Sequence, residues 1–146
     1  MRKRIDIVKI QQIKEGSIHY AKRKISSPRD AADIARQYSP SSDREELILI
    51  CLNTKNEPTH ITTVSVGSLN SSIISPREVY KTAILANSNS ILLLHNHPSG
   101  DTEPSHEDIL ATQRLLEAGS LMGIELLDHI IFTPDSHLSI RESGRL

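Results

Sequence analysis

The order of apolar and polar positions along the chain predicts alternating strands and helices. Residues 4–10 alternate roughly with period two, which predicts a strand. Two mostly apolar runs, residues 46–52 and 90–94, predict short strands that are buried within a sheet. Further strands are predicted at residues 60–66, 124–132 and 137–140.

Three helices are predicted from their start signals. Residues 27–30 read Ser-Pro-Arg-Asp and residues 75–78 read Ser-Pro-Arg-Glu, so each places a serine at the N-cap and a proline at the first helical position. A third helix is predicted to begin after Ser105 and to run to about Met122, where Gly123 stops it. This alternation predicts an α/β fold, a single layered domain in which helices flank a mixed β-sheet.

Charge is distributed unevenly along the 146 residues, although the net charge is only −1. Residues 1–29 carry nine basic and two acidic side chains, and the rest carry eight basic and sixteen acidic ones. This pattern fits either a basic arm for an acidic partner or a solvated strand whose lysines protect a sheet edge. We divide the chain into a basic N-terminal strand and connection, residues 1–24, and one domain, residues 25–146, whose start is taken from the family resemblance given below. A nucleic-acid partner stays open, but the net charge does not support it.

Cysteine content and hydropathy set limits on location. Cys51 is the single cysteine, so an internal disulfide and a multi-cysteine zinc site are excluded, which fits a reducing compartment. No apolar run approaches the ~20 residues that a membrane helix needs. The basic start is not followed by an apolar region, so we expect no secretory signal. The expected location is cytoplasmic, without membrane association.

Residues 91–108 contain the pattern most typical of chemistry. His95 and His97 are two residues apart at the end of an apolar strand, so both imidazoles point to the same side and are suited to bind zinc. Asp108, in the first turn of the next helix, is the natural third ligand. Three protein ligands and one open position define a catalytic zinc site. Asp108 is also a sound capping-box partner for Ser105, so the prediction depends on the whole pattern.

A second group of polar residues lies on a later predicted strand. Asp128 and His129 are adjacent there. They admit two interpretations, a pair that orients a metal ligand from behind or a buried hydrogen-bonded pair. The sequence does not choose between them.

The motif His95-x-His97-x₇-Ser105-x-x-Asp108 resembles the JAMM motif of the JAB/MPN metalloproteases. The fuller string from His95 to Asp108 resembles the RadC branch of that family, as do residues 64–70, 76–79 and 127–129. The resemblance covers about residues 25–146.

The resemblance implies a JAB/MPN fold, related to the cytidine deaminases, and assigns roles to single residues. It implies zinc on His95, His97 and Asp108, with a water in the fourth position. It further implies that Ser105 helps to hold the oxyanion of the reaction. An upstream glutamate is expected to polarise the water; the RadC pattern R-E-x-F favours Glu45, and a shift of one residue selects Glu46.

Two functions follow as hypotheses. The first is a zinc-dependent metallohydrolase that cleaves a peptide or isopeptide bond in an unidentified peptide or protein substrate. The alternative is a non-enzymatic or DNA-repair-associated binding module that keeps the metal site. Longer RadC proteins carry an N-terminal helix-hairpin-helix region, and this sequence contains none, so we expect no DNA-binding module of that kind. The oligomeric state is not predicted.

Overall fold

The computed structural model describes residues 1–40, 43–67 and 74–146. Most of the predicted polar loop at residues 67–72 lies outside the described residues, as does part of the RadC-like stretch at residues 64–70.

Five strands form one mixed sheet that is flanked by three helices. In chain order the elements are α1 Pro28–Tyr38, β1 Glu46–Leu52, β2 Pro58–Val66, α2 Pro76–Leu85, β3 Ser90–Asn96, α3 His106–Met122, β4 Glu125–Phe132 and β5 His137–Ser139. The strand order is β2-β1-β3-β4-β5. The β3–β4 pair is parallel and the other three pairs are antiparallel. The predicted α/β class and mixed sheet are confirmed, and the architecture is consistent with a JAB/MPN fold.

Each face of the sheet carries its own apolar core, because the side chains of a strand alternate between faces. On one face, the apolar side of α1 packs against β1, β3 and β4 through residues such as Ile34, Ile50 and Leu94. On the other face, α2 and α3 pack through Tyr80 and Leu115. β1 and β3 therefore read as continuous apolar runs, since they are buried on both sides.

The helix boundaries follow the predicted start and stop signals. Ser27 and Ser75 are the N-caps of α1 and α2, each followed by the predicted proline. α3 begins with a complete capping box between Ser105 and Asp108. It ends at Gly123, whose φ of 72° is the left-handed conformation that favours glycine.

The strand predicted at residues 4–10 is wrong. Residues 1–20 form no regular secondary structure, and Ile5, Ile7, Val8 and Ile10 are exposed. Alternation of apolar residues predicts a strand only where a neighbouring strand supplies hydrogen bonds, and no such neighbour pairs with this segment within the described residues. Contact with the domain begins further along, where Ile18 and Tyr20 pack against the α1 face.

The sheet brings three separate segments of chain to one end of β3. Leu47 pairs with His95 in the antiparallel β1–β3 register, so Glu45 lies beside the end of β3. The loop after β3 leads directly into α3 and returns Asp108 to the same place. Across the described residues, no helix is long and apolar enough to cross a membrane.

Candidate metal centre

His95 and His97 lie at the end of β3, as predicted. Their ring centroids are 4.6 Å apart and the ring planes are perpendicular. His95 is 1% exposed, whereas His97 is partly exposed. The backbone N–H of His97 donates to the carbonyl of Phe132 at 3.1 Å, which extends the contact with β4 beyond the strand. The site therefore has one buried and one solvent-accessible imidazole.

Asp108 approaches both imidazoles from the first turn of α3. Its Oδ1 lies 3.3 Å from His95 Nδ1, and its Oδ2 lies 3.5 Å from His97 Nε2. The capping box fixes this carboxylate, because Oδ2 accepts the backbone N–H of Ser105 at 2.8 Å while the Ser105 hydroxyl accepts the N–H of Asp108 at 3.0 Å. The same two hydrogen bonds therefore cap α3 and hold the Asp108 carboxylate beside the histidines.

The charges at this site depend on one another. Burial by itself would raise the pKa of the Asp108 carboxyl, but contacts with His95 and His97 and the Ser105 N–H hold that pKa well below its usual range. The contact with the Asp108 carboxylate in turn raises the pKa of His97. A buried carboxylate that stays ionised between two imidazoles is a ready site for a cation, which would displace protons from the imidazoles when it binds.

His97 is held in one tautomer. Its Nδ1 lies 2.6 Å from the carbonyl oxygen of Asp101, which can only accept, so Nδ1 carries the proton. In the neutral ring the lone pair is therefore on Nε2, the nitrogen that faces Asp108. Metal-binding histidines are usually oriented in this way, by donation from the second nitrogen to a carbonyl or carboxylate.

The structure separates the two candidate glutamates. Glu45 Oε2 lies 3.8 Å from His95 Nε2, and the ligand atoms of Glu45, His95 and His97 all lie within 4.8 Å of one another. Glu46 points away and accepts a hydrogen bond from the Ser39 hydroxyl at 2.7 Å. The structure thus brings Glu45 to the centre and leaves Glu46 outside it, while the catalytic role of Glu45 stays a prediction.

Asn96 is a residue at the site that sequence reasoning missed. Its side-chain amide donates to the carbonyl of Arg44 at 2.8 Å and accepts the backbone N–H of Glu46. The two bonds clamp the backbone on both sides of Glu45 against the end of β3. The sequence does indicate that Asn96 points to the face opposite the two histidines, because it lies between them on a strand. It does not indicate which residues Asn96 contacts there, because Arg44 and Glu46 are about fifty residues away in sequence.

Ser105 is exposed at the N-terminus of α3. Its oxygen accepts from the N–H of Asp108, so its hydroxyl proton is free to be donated elsewhere. Asp128 and His129 are both buried and are joined by one hydrogen bond, from the backbone N–H of His129 to Asp128, while their side chains have different partners. Asp128 accepts bonds from the backbone N–H groups of His129 and Arg141 and from the Ser139 hydroxyl, which ties the C-terminal residues to β4. His129 instead turns its ring toward α3.

His129 is buried and electrically neutral behind the site. Its Nδ1 lies 2.6 Å from the Thr112 hydroxyl, and its ring centroid is 6.0 Å from that of His95. Burial lowers the pKa of His129 to about 3, because the desolvation of a charged ring outweighs the opposing attraction of the Asp108 carboxylate. The structure thus places an uncharged imidazole directly behind a candidate ligand.

The fold and this group of side chains define an α/β domain of the JAB type with a possible metal-binding Glu/His/His group. A family model described as the RadC-like JAB domain matches residues 25–145. The chain belongs to this family, as the resemblance in the motif residues indicated.

Curated relatives agree with this membership. The chain is 52% identical over 123 residues to a UPF0758 protein of Clostridium acetobutylicum, which is 84% of this chain and 54% of that protein. It is 49% identical over 122 residues to a UPF0758 protein of Desulfitobacterium hafniense, with the same two shares. A Methanosarcina barkeri relative is 42% identical over 130 residues, 89% of this chain and 57% of that protein. The chain spans about half the length of these curated relatives, and their names state no activity.

Proposed function

We propose that this chain is a zinc-dependent hydrolase that cleaves a peptide or isopeptide bond. The observation that carries the proposal is the buried His95, whose two ring nitrogens have no hydrogen-bond partner in the described part of the chain although Asp108, His97 and Glu45 surround it. Buried polar nitrogens are nearly always satisfied, so an unsatisfied ring among potential ligands points to a metal ion.

Two separations between proposed ligand atoms, one from each oxygen of Asp108, are close to those around a tetrahedral ion and support the proposal. Two ligand atoms that each lie about 2.0–2.1 Å from such an ion stand about 3.3–3.4 Å apart. The contact between His97 Nε2 and Asp108 Oδ2 is 3.5 Å, and that between His95 Nδ1 and Asp108 Oδ1 is 3.3 Å. Imidazole and carboxylate ligands suit zinc, and His95, His97 and Asp108 would hold it.

The chain's own residues supply the proton transfers. When bound, zinc supplies a Lewis acid that lowers the pKa of a water to about 7. Glu45, with its carboxylate partly exposed beside His95, accepts the proton of the attacking water and passes it to the leaving amine as the C–N bond breaks. Ser105 donates its free hydroxyl proton to the oxygen that becomes negative at the carbonyl.

The decisive experiment measures metal content and cleavage on the same preparations. Purified protein loaded with zinc should hold one ion per chain and should cleave at least one member of a broad peptide and ubiquitin-like fusion library. Asp108→Ala should lose both properties, since two remaining ligands cannot fix a tetrahedral site. A wild-type protein that binds no zinc above background after loading would contradict the proposal.

A second candidate function is a binding module that keeps the metal site and acts in a nucleic-acid complex. The observation that favours it is the basic segment at the N-terminus, where residues 1–29 carry a net charge of +7 and residues 1–17 are exposed. Binding through such a segment depends strongly on salt. Zinc-loaded protein that cleaves nothing in the library, yet loses salt-sensitive DNA binding when residues 1–17 are removed, would support this candidate instead.

For either function we propose a cytoplasmic location, because the one cysteine, Cys51, is buried and unpaired.

A further inference from the structure

Three buried ring nitrogens at the centre of the molecule lack a hydrogen-bond partner among the described residues. They are both nitrogens of His95 and Nε2 of His129. Each of the two residues is 1% exposed, so bulk solvent does not reach these atoms. Native structures rarely leave one such atom unsatisfied, and here three lie on two neighbouring rings.

The position of the proton on His129 follows from its partner. The Thr112 hydroxyl donates its single proton to the carbonyl of Asp108 at 2.6 Å. The 2.6 Å contact between Thr112 and His129 must then be donated by Nδ1–H of the imidazole. Nε2 of His129 is therefore an acceptor, and it is the atom without a partner.

We propose that His129 is a positioning residue for the metal centre, whose Nε2 accepts a hydrogen bond from the ring N–H of His95 that faces away from the metal ion. This inference rests on the proposed metal site. A histidine ligand has one nitrogen on the metal and nearly always donates the other N–H to a fixed acceptor. The assignment uses all three unsatisfied nitrogens. His95 Nδ1, 3.3 Å from Asp108 Oδ1, is the nitrogen on the metal. His95 Nε2, which lies 3.8 Å from Glu45 Oε2, beyond hydrogen-bond distance, is the donor to His129 Nε2.

The arrangement of the strands supports this pairing. In the parallel β3–β4 register, Leu93 is the partner of His129, and His95 lies two residues further along the same face. The ring centroids of His95 and His129 are 6.0 Å apart and the planes are inclined by 32°. A direct N–H···N bond of about 3 Å places two imidazole centroids about 5 Å apart, so the two rings must approach each other by about 1 Å for the bond to form.

The resulting chain of hydrogen bonds connects two candidate ligands. It runs from the His95 ring to His129, from His129 to the Thr112 hydroxyl, and from that hydroxyl to the backbone carbonyl of Asp108. Its effect would be to fix the tautomer of His95 and to hold the first turn of α3 against β4. The loss of such an orienting partner typically weakens metal binding 10–100-fold.

Two amide variants of His129 separate this role from simple packing. The amide of His129→Gln reaches the position of Nε2 and can accept from His95, whereas the amide of His129→Asn reaches only the position of Nδ1. We expect His129→Asn to weaken zinc binding 10–100-fold, measured by competition with a chromophoric chelator, and His129→Gln to stay within a few-fold of the wild-type protein. The cobalt-substituted His129→Asn protein should also show an altered visible absorption spectrum, which reports ligand geometry without a substrate.

The outcomes distinguish this inference from the proposed function. If the wild-type protein binds no zinc, the proposed function fails. If it binds zinc and the two variants are equally affected, or neither is affected, the role of Nε2 is overturned while the metal site stands. Should the variants fail to fold, long-range ¹H–¹⁵N spectra of the zinc-loaded wild-type protein decide. A proton on Nδ1 of His129 and a hydrogen-bonded lone pair on Nε2 support the inference, and a proton on Nε2 overturns it.

Discussion

At the scale of single residues, the direction of a side chain decides which of two adjacent acids can act at the centre. Glu45 and Glu46 have the same chemistry and differ by one position at the start of β1. Glu45 lies beside His95, whereas Glu46 is bound to the Ser39 hydroxyl next to α1. Asn96 holds the backbone on both sides of Glu45 and so maintains this difference. Substitution of these two chemically identical side chains is therefore expected to affect turnover differently.

We predict that Glu45→Gln keeps the fold and zinc but loses turnover, because an amide accepts no proton from water at neutral pH. Loss of a general base typically lowers the rate about 10²–10⁴-fold. Glu46→Gln is the matched control and should leave turnover nearly unchanged. The measurements are zinc content and kcat on a substrate from the library. Full activity in Glu45→Gln together with loss in Glu46→Gln would reverse the assignment.

His129 should make the metal-free protein sensitive to acid. Its pKa is about 3 in the folded chain, whereas an unfolded histidine has a pKa near 6.5. Between these values the unfolded chain binds more protons, so the free energy of unfolding falls as pH falls, by at most about 1.4 kcal/mol per pH unit. The stabilisation is complete above pH 6.5.

Denaturant unfolding of chelator-treated protein between pH 4.5 and 6.5 measures this slope. His129→Gln, which has no titrating ring, should show a shallower dependence by up to one proton. Working above pH 4.5 excludes Asp108, whose pKa is lowered by folding, since its stabilisation is lost only as pH falls below the unfolded value near 3.9. Identical slopes for the two proteins would contradict the prediction.

At the scale of secondary-structure elements, the same serine cap serves different purposes on different helices. Ser27 caps α1 and accepts the N–H of Asp30, and Ser105 caps α3 and accepts the N–H of Asp108. Both serines are exposed. The two caps make the same hydrogen bond, so we expect them to contribute similarly to the free energy of unfolding. Of these two helices, only α3 carries a candidate metal ligand in its first turn, so only the Ser105 cap also affects the metal centre.

We predict that Ser27→Ala and Ser105→Ala each lower the free energy of unfolding by about 1 kcal/mol, the usual cost of an N-cap. Ser105→Ala should in addition lower kcat about 10²–10³-fold, since it removes the donor for the oxyanion. Thermal or denaturant unfolding and steady-state kinetics measure the two effects. Equal kinetics in both variants would show that Ser105 acts only as a cap.

At the scale of the whole molecule, the N-terminal segment divides at about residue 18. Residues 1–17 are exposed, but the following connection is attached to the domain. Ile18 packs on the α1 face, Lys22 pairs with the buried Asp30 at 2.9 Å, and Ile25 N–H donates to the carbonyl of Asn56. The hydrogen bond from Lys22 lowers the pKa of Asp30.

We predict that removal of residues 1–17 leaves zinc binding and thermal stability unchanged, because these residues are exposed and the first side chain of the segment that packs on the apolar core is Ile18. Removal of residues 1–24 should keep zinc binding but lower the melting temperature, since it removes the packing of Ile18 and leaves Asp30 without Lys22. Calorimetry and zinc titration of the two shortened proteins test this. Loss of zinc binding in either would show that the segment supports the centre.

Local patterns in the sequence determined the elements and the candidate ligands. The apolar runs of β1 and β3, the serine-proline starts of α1 and α2, and Gly123 at the end of α3 are determined by neighbouring residues, and all are observed. The histidines, Ser105 and Asp108 lie within fourteen residues, so their spacing in sequence nearly fixed their spacing in space. These features depend on short-range backbone geometry, which the sequence encodes directly.

Only the tertiary structure decided what depends on contacts between distant segments. The alternating residues 4–10 have no strand beside them, and Asn96 acts on a segment about fifty residues away. Gly119 in α3 is a poor helix residue by propensity, yet a side chain there would collide with Tyr80 and Ile124. His129 meets His95 because β3 and β4 are parallel neighbours. Such contacts arise from packing across the sheet, and no local pattern specifies them.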